Sequence, residues 1–228
     1  MKAIILMAGI GSRLGRSMPK CLSEIPGGET ILERQIRLLR RFADEIVGVV
    51  GFKKELIMES YPNILYVYNP HFTTTNTAKS LLCAFDLLEN DDIIWVNGDV
   101  VFSEEALEKV ALYNGNAMAV EFKECGREEV KVVVDPDGFI TRVSKTVKGV
   151  GEAVGINKLS RDSFQTFREA LRKCDSGDYF ERAVEMVIEK GHKFKAIDVG
   201  QGSCIEVDFP EDLATAWKLF SGDRNDER

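Results

Sequence analysis

The chain has 228 residues, a formal net charge of −7, and apolar and charged fractions of 44% and 29%, enough for one globular domain with an ample core. The acidic balance argues against a general nucleic-acid binder, which needs a basic face, and no apolar run approaches the ~20 residues of a membrane span. No signal peptide precedes the first strand, and five scattered cysteines without a C-x-x-C pair read as reduced thiols, so a cytoplasmic protein is expected.

In chain order, Ala3 to Met7 is an unbroken apolar run, the pattern of a strand covered on both faces. It stops at Ala8-Gly9-Ile10-Gly11-Ser12, where small residues let the backbone approach a ligand and aim N–H groups at phosphate oxygens. Arg13, Arg16 and Lys20 follow, with Pro19 stiffening the approach to Lys20. Strand, glycine turn and clustered cations describe a polyphosphate site. The plainer alternative is an ordinary strand–loop–helix turn with solvated cations. Leu14 stands where a dinucleotide fingerprint has its third glycine, and the run Ile46 to Val50 ends in Gly51-Phe52 rather than an acid. Both features disfavour an NAD-dependent oxidoreductase. No Gly-Lys-Ser/Thr triplet follows, so this is not a Walker loop.

Helices are expected over Glu29 to Phe42 and Lys53 to Tyr61, and strands over Ile46 to Val50 and Ile64 to Tyr68. This alternation implies a mostly parallel, Rossmann-like α/β sheet flanked by helices, with ligands beyond the carboxyl ends of its strands. The run from Asn69 to Ser80 is rich in short hydrogen-bonding side chains and precedes an apolar helix expected over Leu81 to Leu88. It reads equally as a loop capped by Thr75 or Asn76 and as a loop closing over a nucleoside. A fourth strand, Ile93 to Val96, ends in Asn97-Gly98-Asp99, where the carboxylate is either a turn residue or a Mg2+ ligand. A helix from Ser103 to Tyr113 follows, and then four strand-like runs between Ala117 and Asn157, with Asp135-Pro136-Asp137-Gly138 as a hairpin turn. Helices over Ser160 to Cys174 and Tyr179 to Glu189 and a strand over Phe194 to Val199 lead to Asp208-Phe209-Pro210-Glu211-Asp212-Leu213. There Asp208 can cap the final helix, which runs to about Phe220.

The spacing Gly9-x-Gly11-x-Arg13-(x)5-Pro19-Lys20 resembles the signature of the sugar-phosphate and alcohol-phosphate nucleotidyltransferases. Thr75-Asn76 with Ser80-Leu81 is similar to a stretch of the phosphocholine and inositol-phosphate cytidylyltransferases, and Gly98-Asp99 and Val207-Asp208 match the family's metal-binding acids. The resemblance covers nearly the whole chain and implies a GT-A-like fold, with a single domain over 1–220, a strand-rich acceptor region at about 115–160 and a polar tail at 221–228. It implies that Met7, Ala8, Gly9, Gly11, Ser12, Arg13 and Lys20 hold nucleotide together with Thr75, Asn76 and Ser80. Arg13, Lys20 and Asp99 are the implied catalytic groups, and Asp99 and Asp208 the implied Mg2+ ligands. On the acceptor side, Lys145 is assigned to phosphate and Glu152 to hydroxyls, with Lys131 as the weaker candidate. The chain carries neither a hexapeptide-repeat extension nor a membrane transferase domain, so a stand-alone nucleotidyltransferase is expected.

An acceptor phosphate is largely a dianion at neutral pH, its second pKa being near ~6, and it attacks without a general base. The expected reaction is cytidylyl transfer from CTP to inositol 1-phosphate, giving CDP-inositol and pyrophosphate. Phosphocholine is the second acceptor, because residues 145–160 hold no aromatic to cage a quaternary ammonium, although Phe72, Tyr179 and Phe180 can enter from elsewhere in the chain. Alternatives are an NDP-sugar pyrophosphorylase and a non-catalytic nucleotide-binding regulator. Expected partners are CTP and a small alcohol phosphate, a second copy in a homodimer, and a separate membrane alcohol-phosphate transferase that uses the product.

Overall fold

The first apolar run forms β1 (Lys2–Met7), buried from Ala3 onward, in a computed structural model that describes residues 1–11 and 18–220. In chain order follow α1 (Ile31–Leu39), β2 (Glu45–Val50), α2 (Lys54–Ser60), β3 (Leu65–Tyr68), α3 (Thr77–Phe85), β4 (Ile93–Asn97), β5 (Val100–Phe102) and α4 (Glu104–Ala111). Then come β6 (Asn116–Glu121), β7 (Lys131–Val134), β8 (Ile140–Ser144), β9 (Gly151–Leu159), α5 (Phe164–Lys173), α6 (Phe180–Glu189), β10 (Phe194–Asp198), β11 (Cys204–Glu206) and α7 (Pro210–Phe220). Ser12 and Arg13, and the expected polar tail at 221–228, lie outside the described residues. Among the described residues no helix is long and apolar enough to cross a membrane.

The central sheet runs β10-β6-β9-β4-β1-β2-β3. β1 sits between parallel neighbours, with Ile4 opposite Val47 of β2 and Trp95 of β4. The β2–β3 and β10–β6 pairs are also parallel. β9 alone enters antiparallel, between β4 and β6. It returns from the β7–β8 hairpin, whose Asp135 to Gly138 turn closes with Gly138 at φ +76°. The strand-rich stretch is therefore not a separate layer: β6 and β9 complete the central sheet, and only β7 and β8 project from it.

Both faces of the sheet are covered, as a parallel sheet requires. On one face α3, α5 and α6 bury Phe85, Phe164, Phe167 and Phe180 against Trp95. Phe85 stacks on Phe164 at 4.8 Å, and Phe180 meets the Trp95 ring edge-on at 5.6 Å. On the other face α1 and α4 bury Leu32, Ile36, Leu39, Leu107 and Val110. Each such side chain contributes about 1.5–3 kcal/mol on leaving water. A smaller cluster under α7 joins Ile25, Val101 and Val207.

Two local expectations differ from the structure. α3 starts at Thr77, four residues before the expected Leu81, because the Asn76 side chain accepts from the Thr77 N–H and caps it there. β5 and β11 pair antiparallel, with Phe102 opposite Cys204. Each strand has three residues and its partner is about a hundred residues away in the chain, so no local periodicity announces either.

Candidate active site

The loops after β1, β4 and β11 meet at one edge of the sheet. Gly98 turns the chain out of β4: its N–H donates to the Leu6 carbonyl at 2.9 Å, and a Cβ there would stand 2.6 Å from that same oxygen. Only glycine fits this close approach, and it sets Asp99 beside the end of β1. The buried Gln35 of α1 holds the turn from below. Its side-chain amide donates to the carbonyls of Asn97 at 2.9 Å and Val100 at 2.7 Å. The Val207 N–H donates to the Asp99 carbonyl at 2.8 Å, which ties the second acidic segment to the first. Asp212 then receives the N–H groups of Asp208 and Phe209 on one carboxylate oxygen, at 2.9 and 2.7 Å. This is the backward-reaching half of a capping box. It gives the structural task to Asp212 and leaves the Asp208 side chain facing the site.

Lys20 lies between the acids, its ammonium 3.0 Å from Asp99 Oδ2 and also bonded to Asp208 Oδ1. Gly11 makes room for it: φ is +64°, and a Cβ would come within 2.8 Å of Lys20 Cγ. Burial alone would lower the Lys20 pKa, but the Asp99 and Asp208 carboxylates outweigh it and hold the ammonium above its usual value. Glu206, at the end of β11, joins them, so that oxygens of Asp99, Glu206 and Asp208 lie within 4.8 Å of one another. Confinement in the cleft and then the Asp99 and Asp208 charges raise the Glu206 pKa, although one side of its chain is open to solvent. Three converging carboxylates with one resident ammonium are a donor set suited to a hard divalent cation such as Mg2+, which takes oxygen ligands.

From this cluster a cleft of about 910 Å3 runs past α3 to β6, β9 and α6. Ala8, Gly9, Gly11, Lys20, Asp99 and Asp208 line its near end. Met7 faces a smaller recess of about 120 Å3 behind the glycine loop. Thr75, Asn76 and Ser80 line one wall, where Asn69 donates to Thr75 Oγ1 at 3.0 Å and Ser80 Oγ at 3.1 Å. Asn76 thus both caps α3 and lines the cleft, so the two readings of this loop are compatible.

The far end gathers Glu152, Lys145 and Tyr179, together with Lys123 and Glu181, which no feature of the sequence singles out. Lys123 bridges to Glu152 at 2.6 Å and Glu121 at 3.3 Å. The Lys145 ammonium sits 4.9 Å from the centre of the Tyr179 ring. Lys131 is not brought into the cleft: it is buried, and its ammonium donates to the carbonyls of Glu129 at 3.2 Å and Lys145 at 2.8 Å, tying their loops together. The absence of aromatics from 145–160 also does not describe the far end of the cleft, because Tyr179 and Phe180 enter it from elsewhere in the chain, while Phe72 packs beside Ala8 and Gly51 near the glycine loop. That removes the ground on which a polyol was preferred to an ammonium-bearing acceptor. Glu206 had a readable signal, since Glu206-Val207-Asp208 alternates around a buried valine and puts both acids on one side. Lys123 had none.

The mostly parallel mixed sheet, its flanking helices and this edge define an α/β nucleotidyltransferase fold. The sequence matches the MobA-like NTP transferase domain over residues 3–129, and the chain belongs to that family. Over its whole length it is 30% identical to a CMP-5'-(3-aminopropyl)phosphonate synthase of Streptomyces rubellomurinus, of which it spans 40%. Over 96% of its length it is 36% identical to the bifunctional protein GlmU of Methanococcus maripaludis, of which it spans 54%. The chain thus spans about half, or less, of these relatives' own length. Two solved structures share the fold, each with a TM-score of 0.79: the CTP:phosphocholine cytidylyltransferase of Streptococcus pneumoniae (20% identity, 96% of this chain and 98% of that one) and the inositol-1-phosphate CTP transferase of T. maritima (18% identity, 97% and 96%).

Proposed function

We propose that the protein is a Mg2+-dependent cytidylyltransferase that joins the CMP unit of CTP to a small phosphate or phosphonate acceptor and releases pyrophosphate. The carrying observation is the Lys20 ammonium held between Asp99 and Asp208 beside the glycine loop, at one end of a cleft whose other end holds Lys123 and Lys145. On this reading Gly9, Gly11 and Ser12 cradle the triphosphate with their N–H groups, and Thr75, Asn76 and Ser80 hold the nucleoside. Asp99, Asp208 and Glu206 would hold Mg2+, which when bound neutralises the triphosphate. Lys20 and Arg13 stabilise charge at the α-phosphate and on the departing pyrophosphate. An oxygen of the acceptor dianion forms the new bond to the α-phosphorus. The bond from that phosphorus to the bridging oxygen breaks, and pyrophosphate leaves with the electron pair. No residue has to remove a proton from the nucleophile.

CTP is favoured over other triphosphates by the likeness of the Thr75 to Leu81 stretch to the cytidylyltransferases. A non-catalytic nucleotide binder would need the glycines but not a lysine and three acids gathered in one cluster. Inositol 1-phosphate, phosphocholine and an aminoalkylphosphonate are the acceptors suggested by the relatives, and a sugar 1-phosphate is the remaining alternative. The activated product would then pass to a separate transferase, membrane-bound if the acceptor is an alcohol phosphate. Pyrophosphate release measured for CTP, UTP and dTTP against these acceptors tests the reading. CTP-dependent release is expected, and a preference for UTP or dTTP with glucose 1-phosphate would overturn it.

A further inference from the structure

Glu181 stands in the first turn of α6, in the wall of the acceptor end of the cleft, and is only 8% exposed. Its Oε2 is fully buried and has no hydrogen-bond partner. Buried carboxylate oxygens without a partner are costly, so one retained at a ligand cleft points to a donor that arrives with the ligand. Its surroundings add to this. Glu121, Glu129 and Glu152 line the same end, and Lys123 is already engaged by Glu121 and Glu152. Carboxylates outnumber lysines there, an environment that favours a ligand bringing positive charge. The adjacent Tyr179 ring already carries a cation on its face, the Lys145 ammonium at 4.9 Å.

We infer that Glu181 is a specificity-determining residue that seats an N–H-bearing ammonium group on the acceptor, with the acceptor's phosphate or phosphonate end directed toward Lys20. The inference rests on the cytidylyltransferase reading and names its acceptor class: an aminoalkyl phosphate or aminoalkylphosphonate. A quaternary ammonium has no N–H and would leave Oε2 unpaired. A polyol would supply a donor but no charge to balance the surplus of carboxylates. Burial holds the Glu181 carboxyl up at about 7, against the opposing pull of its own backbone N–H and of Lys145, and an arriving ammonium would favour its ionised form.

Two measurements test this. With CTP and Mg2+ fixed, 2-aminoethyl phosphate is expected to have a kcat/KM at least about tenfold above phosphocholine and inositol 1-phosphate. Glu181→Gln should erase that preference mainly through KM, lowering kcat/KM for 2-aminoethyl phosphate at least about tenfold more than for the other two acceptors. Equal loss on every acceptor would reassign Glu181 to structure, and a wild-type preference for inositol 1-phosphate or phosphocholine would overturn the proposal. Calorimetric binding of 2-aminoethyl phosphate against ethyl phosphate, without turnover, keeps the test independent of catalysis. The amine should tighten binding about tenfold in the wild type and not in Glu181→Gln; equal affinity of the two ligands for the wild type would overturn the proposal. Absence of turnover with an intact amine effect would count against the reaction, not against the subsite.

Discussion

Single side chains at the site carry distinct loads. Asp99 and Asp208 each face Lys20, so neutralising either removes a charge from the cluster while keeping its shape. Asp99→Asn and Asp208→Asn are each expected to lower CTP-dependent pyrophosphate release at least ~100-fold in a protein with unchanged circular dichroism; full activity in Asp208→Asn would return that residue to a capping role. Glu206→Gln should be impaired in the same assay, and its rate should recover partly at raised Mg2+ if it acts as a ligand. Glu181 offers a stability test. Its folded pKa of about 7 lies above the ordinary carboxyl value, so the folded state holds the proton more tightly than the unfolded one. Stability from this group is therefore present at low pH and lost as pH rises from about 4.5 to about 7, a full difference of about 3 kcal/mol at most. Against Glu181→Gln, the wild type should lose relative stability between pH 5 and pH 8 in urea melts. A constant difference across that range would show that the group does not titrate there.

At the scale of elements, the site is held by contacts that arrive from beneath it. Gln35 ties α1 to the turn between β4 and β5 through two carbonyls. Gln35→Leu removes this donor from both carbonyls, of which the Val100 one is buried, and a buried group left unpaired costs about 1–3 kcal/mol. A fall in the urea midpoint is expected, together with a fall in kcat as Asp99 loses its fixed position; wild-type values for both would show the turn to be held by other contacts. Asp212 does the same work for α7. Asp212→Ala should cost about 1 kcal/mol of stability, the usual loss of a cap. Its activity should fall less than that of Asp208→Asn, because only the backbone beneath Asp208 is loosened. Equal losses would mean that Asp212 reaches the ligand itself.

For the whole molecule, folding and ligand binding are linked through the edge where β1, β4 and β11 end. A ligand bound only by the folded chain stabilises it by about 2.7 kcal/mol at a hundred times its dissociation constant. CTP with Mg2+ should accordingly raise Tm, CTP with EDTA should raise it less, and EDTA should abolish turnover. Metal-independent turnover would refute the role given to the three acids. The five cysteines are free thiols, so reductant should leave Tm unchanged.

From the sequence alone came the main strands and helices other than β5 and β11, the glycine loop, and Asp99 at the end of a strand. Apolar runs and turn residues are local signals, and a parallel α/β sheet gathers its loops at one edge whatever the detail. Lys20 and Asp99 were legible for that reason, whereas Asp208, readable as a helix cap, was singled out as a ligand only by the family resemblance. Tertiary structure alone decided the rest. It inserted β9 antiparallel into the central sheet, paired β5 with β11, and drew Lys131 away from the cleft into carbonyls of neighbouring loops. It also carried Glu181, in α6 about thirty residues further along, to the far end of the cleft with Glu152 and Lys145. Pairings and burial of this kind depend on which distant segments meet. A side chain's partner, and so its charge state and its use, is set by neighbours that the local sequence does not contain.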